Sequence, residues 1–135
     1  MNKIIVNVGK TPNGYCANMD ILPGWIVGVS GSFDDLKKET AQSVDVFIKW
    51  AKKDGDRYPS IFDGDYEFEY KFDIESLLHC YDGIFTRSAI SRLTGINQKQ
   101  LGHYACGRSR PRQEQKRKIT TALNNLGKEL IAISV

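Results

Sequence analysis

The hydrophobic residues of this 135-residue chain change period at Asp73, and a chain that does so has to build two structures rather than one. Just before that point "YEFEYKF" alternates strictly, with Tyr66, Phe68, Tyr70 and Phe72 on one side and Glu67, Glu69 and Lys71 on the other. That is the period of a strand. Just after it Ile74, Leu77, Leu78 and Tyr81 recur every three or four residues, which is the period of a helix. The chain is long enough for two small modules, each with its own core. The pattern therefore predicts one domain over 1–72 and a second over 73–135.

The first domain reads as α+β. From Lys3 to Ser30 strand-like runs ("KIIVNV", "YCANMDI", "WIVGVS") are separated by Thr11-Pro12-Asn13-Gly14 and by Pro23-Gly24. These are turn residues, and the runs between them predict a three-stranded antiparallel meander. Ser32 with Asp35 three residues on is a capping-box pattern. It opens a helix whose inward face is Leu36, Thr40, Val44, Phe47, Ile48 and Ala51. A loop containing Gly55 and "DGDRYPSIFDGD" then leads into the alternating strand, giving the order β-β-β-α-β in a single layer of helix on sheet.

The second domain reads as all-α. Asp82-Gly83 closes the helix that begins at Ile74, and Thr86 caps a second that carries Ala89, Ile90 and Leu93. Gly95 supplies a tight turn, and Asn97 caps a third helix with Leu101 and Tyr104 inward and Gly107 at its end. Pro111 suits a first helical position ahead of Ile119, Ala122, Leu123 and Leu126. The result is four short helices, with "GKELIAISV" as a further short element or a tail.

Charge follows the same division. Residues 1–72 hold 9 Lys/Arg against 11 Asp/Glu, and residues 73–135 hold 10 against 5. Most of the excess lies between Arg87 and Lys118, where nine basic residues face Glu114 alone. An anion-binding module joined to a mildly acidic one fits this asymmetry, although a solvated helix surface would look the same by composition. Cys16, Cys80 and Cys106 are odd in number and scattered, with no zinc-ligand spacing, so neither a disulfide framework nor a metal site is expected. No cofactor is implied. The amino terminus has only Ile4-Ile5-Val6 before polar residues interrupt, and no later run could span a bilayer. A soluble, cytoplasmic protein without a membrane partner is the expectation.

Within the basic segment, "GINQKQLGHYACGRSRPR" has the layout of a helix-turn-helix: the small Ser91, the turn Gly95, and the anchors Ile96, Leu101 and Tyr104. With Leu101 and Tyr104 inward, Gln98, Lys99 and His103 face out from the first two turns of the second helix. Gln pairs bidentately with adenine and Lys donates to guanine, while His103 could reach a purine edge or a phosphate. Asn97 stands at the positive end of the helix dipole, where a phosphate would be held. Arg87, Arg108, Arg110 and Arg112 flank the helix as backbone contacts that grip without distinguishing bases. In an arbitrary helix Gln98, Lys99 and His103 would be ordinary exposed residues; the turn glycine, the anchors and the arginines together favour DNA.

"FTRSAISRLTGINQKQLGHYACGRSRPR" with the following "KITTALNNLGKEL" resembles the phage-repressor (XRE-type) helix-turn-helix. With "MDILPGWIVGVSGSFDDLKKET" included, nearly the whole chain resembles the HicB-family antitoxins that carry such a domain at the carboxy terminus. The resemblance implies a partial ribonuclease-H-like amino-terminal domain that docks on a HicA-type mRNA-cleaving toxin and neutralises it. It also implies a carboxy-terminal domain that represses the operon by binding its operator DNA; small helix-turn-helix modules usually work as symmetric dimers on paired half-sites, so a homodimer or higher homo-oligomer is expected. Thr94 stands where the family usually has an apolar residue.

Ribonuclease-H chemistry needs converging carboxylates around divalent metal, one of them on the first strand. The only polar interior candidate there is Asn7, and Asp34, Asp35, Asp54, Asp56, Asp63 and Asp65 read as cap and loop residues. No catalytic residue is expected, and a metal-dependent nuclease is a remote alternative. A nearer alternative is a solitary DNA-binding regulator whose first domain oligomerises or senses a ligand. Trp25, after Pro23-Gly24, reads either as a partner-binding anchor or as core beside a strand. Trp50 reads as core or interface. The aromatics of "YEFEYKF" read as packed on the helix bearing Phe47 or as a dimer contact, since Glu67 and Glu69 would repel a nucleic-acid chain.

Overall fold

A computed structural model describes residues 1–135. The elements are β1 (Asn2–Lys10), β2 (Tyr15–Asn18), β3 (Ile26–Val29), α1 (Phe33–Asp54), a 3-10 turn at Ser60–Asp63, β4 (Tyr66–Phe72), α2 (Ile74–Cys80), α3 (Arg87–Thr94), α4 (Gln98–Ala105) and α5 (Gln113–Ile131). This is an α+β protein with one four-stranded mixed sheet and five helices. The chain divides into two compact units, Met1–Asp73 and Ile74–Val135.

In the first unit the sheet order is β3-β2-β1-β4. β1, β2 and β3 pair antiparallel, whereas β4 returns parallel to β1, with Asn2 opposite Tyr66 and Val8 opposite Phe72. Parallel return requires a crossover, and the 22-residue α1 supplies it. Alternation on β1 turns Ile4, Val6 and Val8 into the core, where they meet Tyr15 and Ala17 of β2. The buried stripe of α1 is Leu36, Thr40, Val44, Ile48 and Ala51. Ser32 accepts the Asp35 N–H at 3.1 Å while the Asp35 carboxylate accepts the Ser32 N–H at 3.0 Å, so the helix starts on a closed capping box. Gly55, at φ 72°, ends it in the left-handed conformation.

Several expectations are corrected here. The second strand stops at Asn18, because the chain then folds through backbone turns that bury Met19 and Leu22. Of its two readings Trp25 takes the core one: it is 4 % exposed, and its indole N–H donates to the Ser43 hydroxyl of α1 at 3.0 Å. Phe47 and Trp50 lie outside the buried stripe, 38 % and 56 % exposed. The stripe runs 36-40-44-48-51, which rotates both rings off the sheet, and the Lys53 ammonium lies 4.9 Å from the Trp50 ring centre. The β4 aromatics do pack on the helix bearing Phe47, but through its first residue: Phe33 of α1 contacts Tyr70 and Phe72 edge to face, while Phe62 of the 3-10 turn contacts Tyr66.

The second unit is built around Leu78, Ile90, Ile96, Leu101, Tyr104, Ala105 and Ile119, with Ile74, Leu77, Phe85 and Leu123 packed against them. α5 is one 19-residue helix rather than a short helix and a tail, and it absorbs "GKELI". Arg112 is its N-cap residue, so Pro111 lies just outside the helix, buried, instead of at its first position. Leu93, expected inward, is 39 % exposed. Beyond Gly127 α5 carries no covered residue, and Leu130, Ile131 and Ile133 are exposed.

Candidate nucleic-acid interface

The candidate surface is built on two short helices and the turn between them. Thr86 caps α3 by accepting the Ala89 N–H at 3.0 Å. Gly95, at φ 76°, closes α3 by donating its N–H to Ser91. A residue with a Cβ would be strained in that conformation, so glycine fixes where α4 begins. Asn97 caps α4 by accepting the Gln100 N–H at 3.0 Å. Thr94 has a local role: its hydroxyl donates to the Ile90 carbonyl at 2.7 Å and accepts the Ile96 N–H at 3.1 Å, tying both sides of the turn.

Leu101, Tyr104 and Ala105 hold α4 in the core, and Leu101 is fully buried. The 3.6-residue period then leaves Gln98 and Lys99 exposed and His103 half-buried on the outer side. Asn97 is exposed too, but its side-chain oxygen is committed to the cap. At the far end of α4 the His79 ring nitrogen Nε2 lies 3.1 Å from the Ala105 carbonyl oxygen. A carbonyl can only accept, so Nε2 carries the proton, and the contact braces α2 against the last turn of α4.

Arg108, Arg110 and Arg112 are exposed on the segment between α4 and α5. That segment is tied down by the N–H groups of Arg108 and Ser109, which donate to the His103 carbonyl at 2.9 and 3.4 Å. The Gln100 amide adds a bond to the Ser109 hydroxyl at 2.9 Å. Gln100 thus couples α4 to the arginine segment, a role that no local sequence signal announces. Gly102 is a second unannounced residue. A Cβ at Gly102 would stand 3.4 Å from a terminal nitrogen of Arg87, so the Arg87 guanidinium lies against the flank of α4 rather than away from it. Arg87 is therefore beside Gly102, on the helix that also presents Gln98.

The electrostatics are one-sided. The ion pairs of the chain, Lys37 with Asp34, Lys49 with Asp45 and Lys52 with Asp63, all lie in the first unit. None engages the basic residues from Arg87 to Lys118. Their charge is left to attract an external anion, and a field of this kind both steers and holds a polyanion. No group of three His, Cys, Asp or Glu side chains is placed to hold a metal ion. No helix is long and apolar enough to cross a membrane. Comparison with known proteins finds no family model, no curated protein and no solved structure that matches this chain.

Proposed function

We propose that the chain is an antitoxin and transcriptional repressor of the HicB kind. On this reading α3, the Gly95 turn and α4 form a helix-turn-helix that places α4 in the major groove of an operator. The observation that carries it is the outer side of α4: Gln98 and Lys99 exposed and His103 half-buried over the Leu101 and Tyr104 anchors, next to exposed arginines outside the ion pairs of the first unit. Base-reading groups on a rigid helix and phosphate-gripping groups on a tethered segment are the two halves of sequence-specific binding.

The first unit, with the β-β-β-α-β order of a partial ribonuclease-H-like fold, serves as the toxin-binding surface. Its mild negative charge complements a basic RNA-binding toxin of the HicA type and speeds their encounter. A homodimer or higher homo-oligomer matches the two-fold symmetry of paired half-sites. The test is co-expression with the adjacent small reading frame, followed by binding of the purified protein and the complex to promoter DNA. Co-purification together with promoter binding supports both roles. Promoter binding with no partner leaves a solitary regulator, and loss of both overturns the reading.

A further inference from the structure

β4 is an edge strand, hydrogen-bonded to β1 on one side only in the order β3-β2-β1-β4. It is seven residues long and contains neither proline nor glycine. The opposite edge, β3, has four residues including Gly28. Natural sheets blunt their edges by shortness, proline, bulges or inward charges, and β3 is short while β4 is not. A long regular edge presents a row of backbone donors and acceptors ready for another strand. The charged side chains on its open face, Glu67, Glu69 and Lys71, are exposed, and no ion pair engages them.

The sequence of β4 specifies which strand fits. Antiparallel pairing of two copies about a dyad at Glu69 overlaps the whole of Tyr66–Phe72 with itself. Residues that stand opposite each other in such a pair share a face. In this register Glu67 meets Lys71 of the second copy, and Lys71 meets its Glu67. On the other face Phe68 meets Tyr70 and Tyr66 meets Phe72, aromatic against aromatic. Only Glu69 meets its own counterpart. Shifting the dyad to Phe68 pairs Asp65 with Lys71 twice but places Glu67 opposite Glu69 twice, and shifting it to Tyr70 pairs Glu69 with Lys71 twice but places Glu67 opposite Asp73 twice. Both shifts shorten the overlap as well. All three registers pair aromatic with aromatic, but only the dyad at Glu69 combines full-length overlap with more opposite-charge than like-charge contacts.

We infer that β4 pairs antiparallel with β4 of a second copy of this chain, joining two four-stranded sheets into one continuous eight-stranded sheet with Glu67–Lys71 pairs on either side of the dyad. The contact is isologous and closes on itself, so it stops at a dimer. It follows from β4 alone and does not rest on the DNA-binding reading. If both hold, each dimer carries two α4 helices.

Sedimentation equilibrium of the full chain tests the pairing. The wild type is expected to dimerise. Glu67→Lys and Lys71→Glu should each raise the dimer Kd about ten-fold, by opposing like charges at two symmetric positions. The double variant Glu67→Lys/Lys71→Glu should restore the wild-type Kd, because the pairs re-form with signs exchanged. Glu69→Gln should tighten the dimer. Both charge positions are exposed, and circular dichroism of each variant confirms that unit 1 stays folded. A monomeric wild type, a dimer indifferent to the single reversals, or a double variant as weak as the singles would overturn the inference. Charge-swap rescue in a protein that fails to bind promoter DNA would sustain the pairing and remove only the repressor role.

Discussion

Thr40 is fully buried between α1 and the sheet, and its hydroxyl has no hydrogen-bond partner. A buried hydroxyl without a partner loses its hydration and gains nothing in exchange. Thr40→Val, which replaces that oxygen by a methyl of nearly the same shape, should stabilise unit 1 by about 1 kcal/mol. Urea denaturation measures this, and a destabilised variant would show that the hydroxyl is satisfied in solution. At α4 the expected losses are of another kind. Gln98→Ala, Lys99→Ala or His103→Ala should each cost about 1–3 kcal/mol of discrimination at particular base pairs. Binding to the promoter and to a set of single-base variants separates this from a uniform loss, which would remove the residue from base reading. Replacing Arg108, Arg110 or Arg112 by Ala should instead weaken binding to every sequence alike. The slope of log K against log salt should become shallower by about 0.9 for each phosphate that the protein no longer neutralises. An unchanged slope would take that arginine off the backbone surface.

At the level of elements, α1 depends on the way it begins. Ser32→Ala should destabilise unit 1 by about 1 kcal/mol, the usual worth of an N-cap side chain. Asp35 adds a pH dependence. Its carboxyl is held below the ordinary carboxylate value chiefly by the backbone N–H of Ser32 and then by the Ser32 hydroxyl; weak desolvation opposes this, and Lys38 adds a smaller pull. A folded pKa below the unfolded one stabilises the fold above the unfolded value, and that stability is lost as pH falls through the folded value. The Tm difference between wild type and Asp35→Asn should therefore be widest near neutral pH and close at pH values well below about 4. A difference that stays constant with pH would assign the effect to something other than the charge. Such caps are legible in the sequence because they are local: Ser32, Thr86, Asn97 and Gly95 each act within three or four residues of themselves. What is not legible depends on distant partners. Nothing near Trp25 announces Ser43, nothing near Gly102 announces Arg87, and the alternation of β4 is the same whether its neighbour runs parallel or antiparallel. The extent of α5 escapes a local reading for the opposite reason. Gly127 resembles a stop, yet intrinsic helix preference in the flanking residues carries the helix past it.

For the whole molecule, division into Met1–Asp73 and Ile74–Val135 gives the proposed roles a direct test. Residues 1–72 expressed alone should suppress the toxin while failing to retard promoter DNA, as judged by growth rescue and by mobility shift. Promoter binding by this fragment, or failure to rescue growth with the fragment folded, would mean that the roles are not partitioned in this way. The topology of that first unit also governs how it is made. β1 leaves the ribosome first and meets β2 almost at once, since Lys10 pairs with Tyr15, but its other side waits for β4, where Asn2 pairs with Tyr66. Closing such a long loop costs entropy before the pairing returns any of it, so this closure sets the pace of folding. Until Phe72 has emerged, β1 of a nascent chain lacks a partner along its whole β4 side, and β2 reaches only Asn7–Lys10 on the other. For that interval Ile4, Val6 and Val8, which the finished sheet buries, are open to neighbouring chains on the polysome.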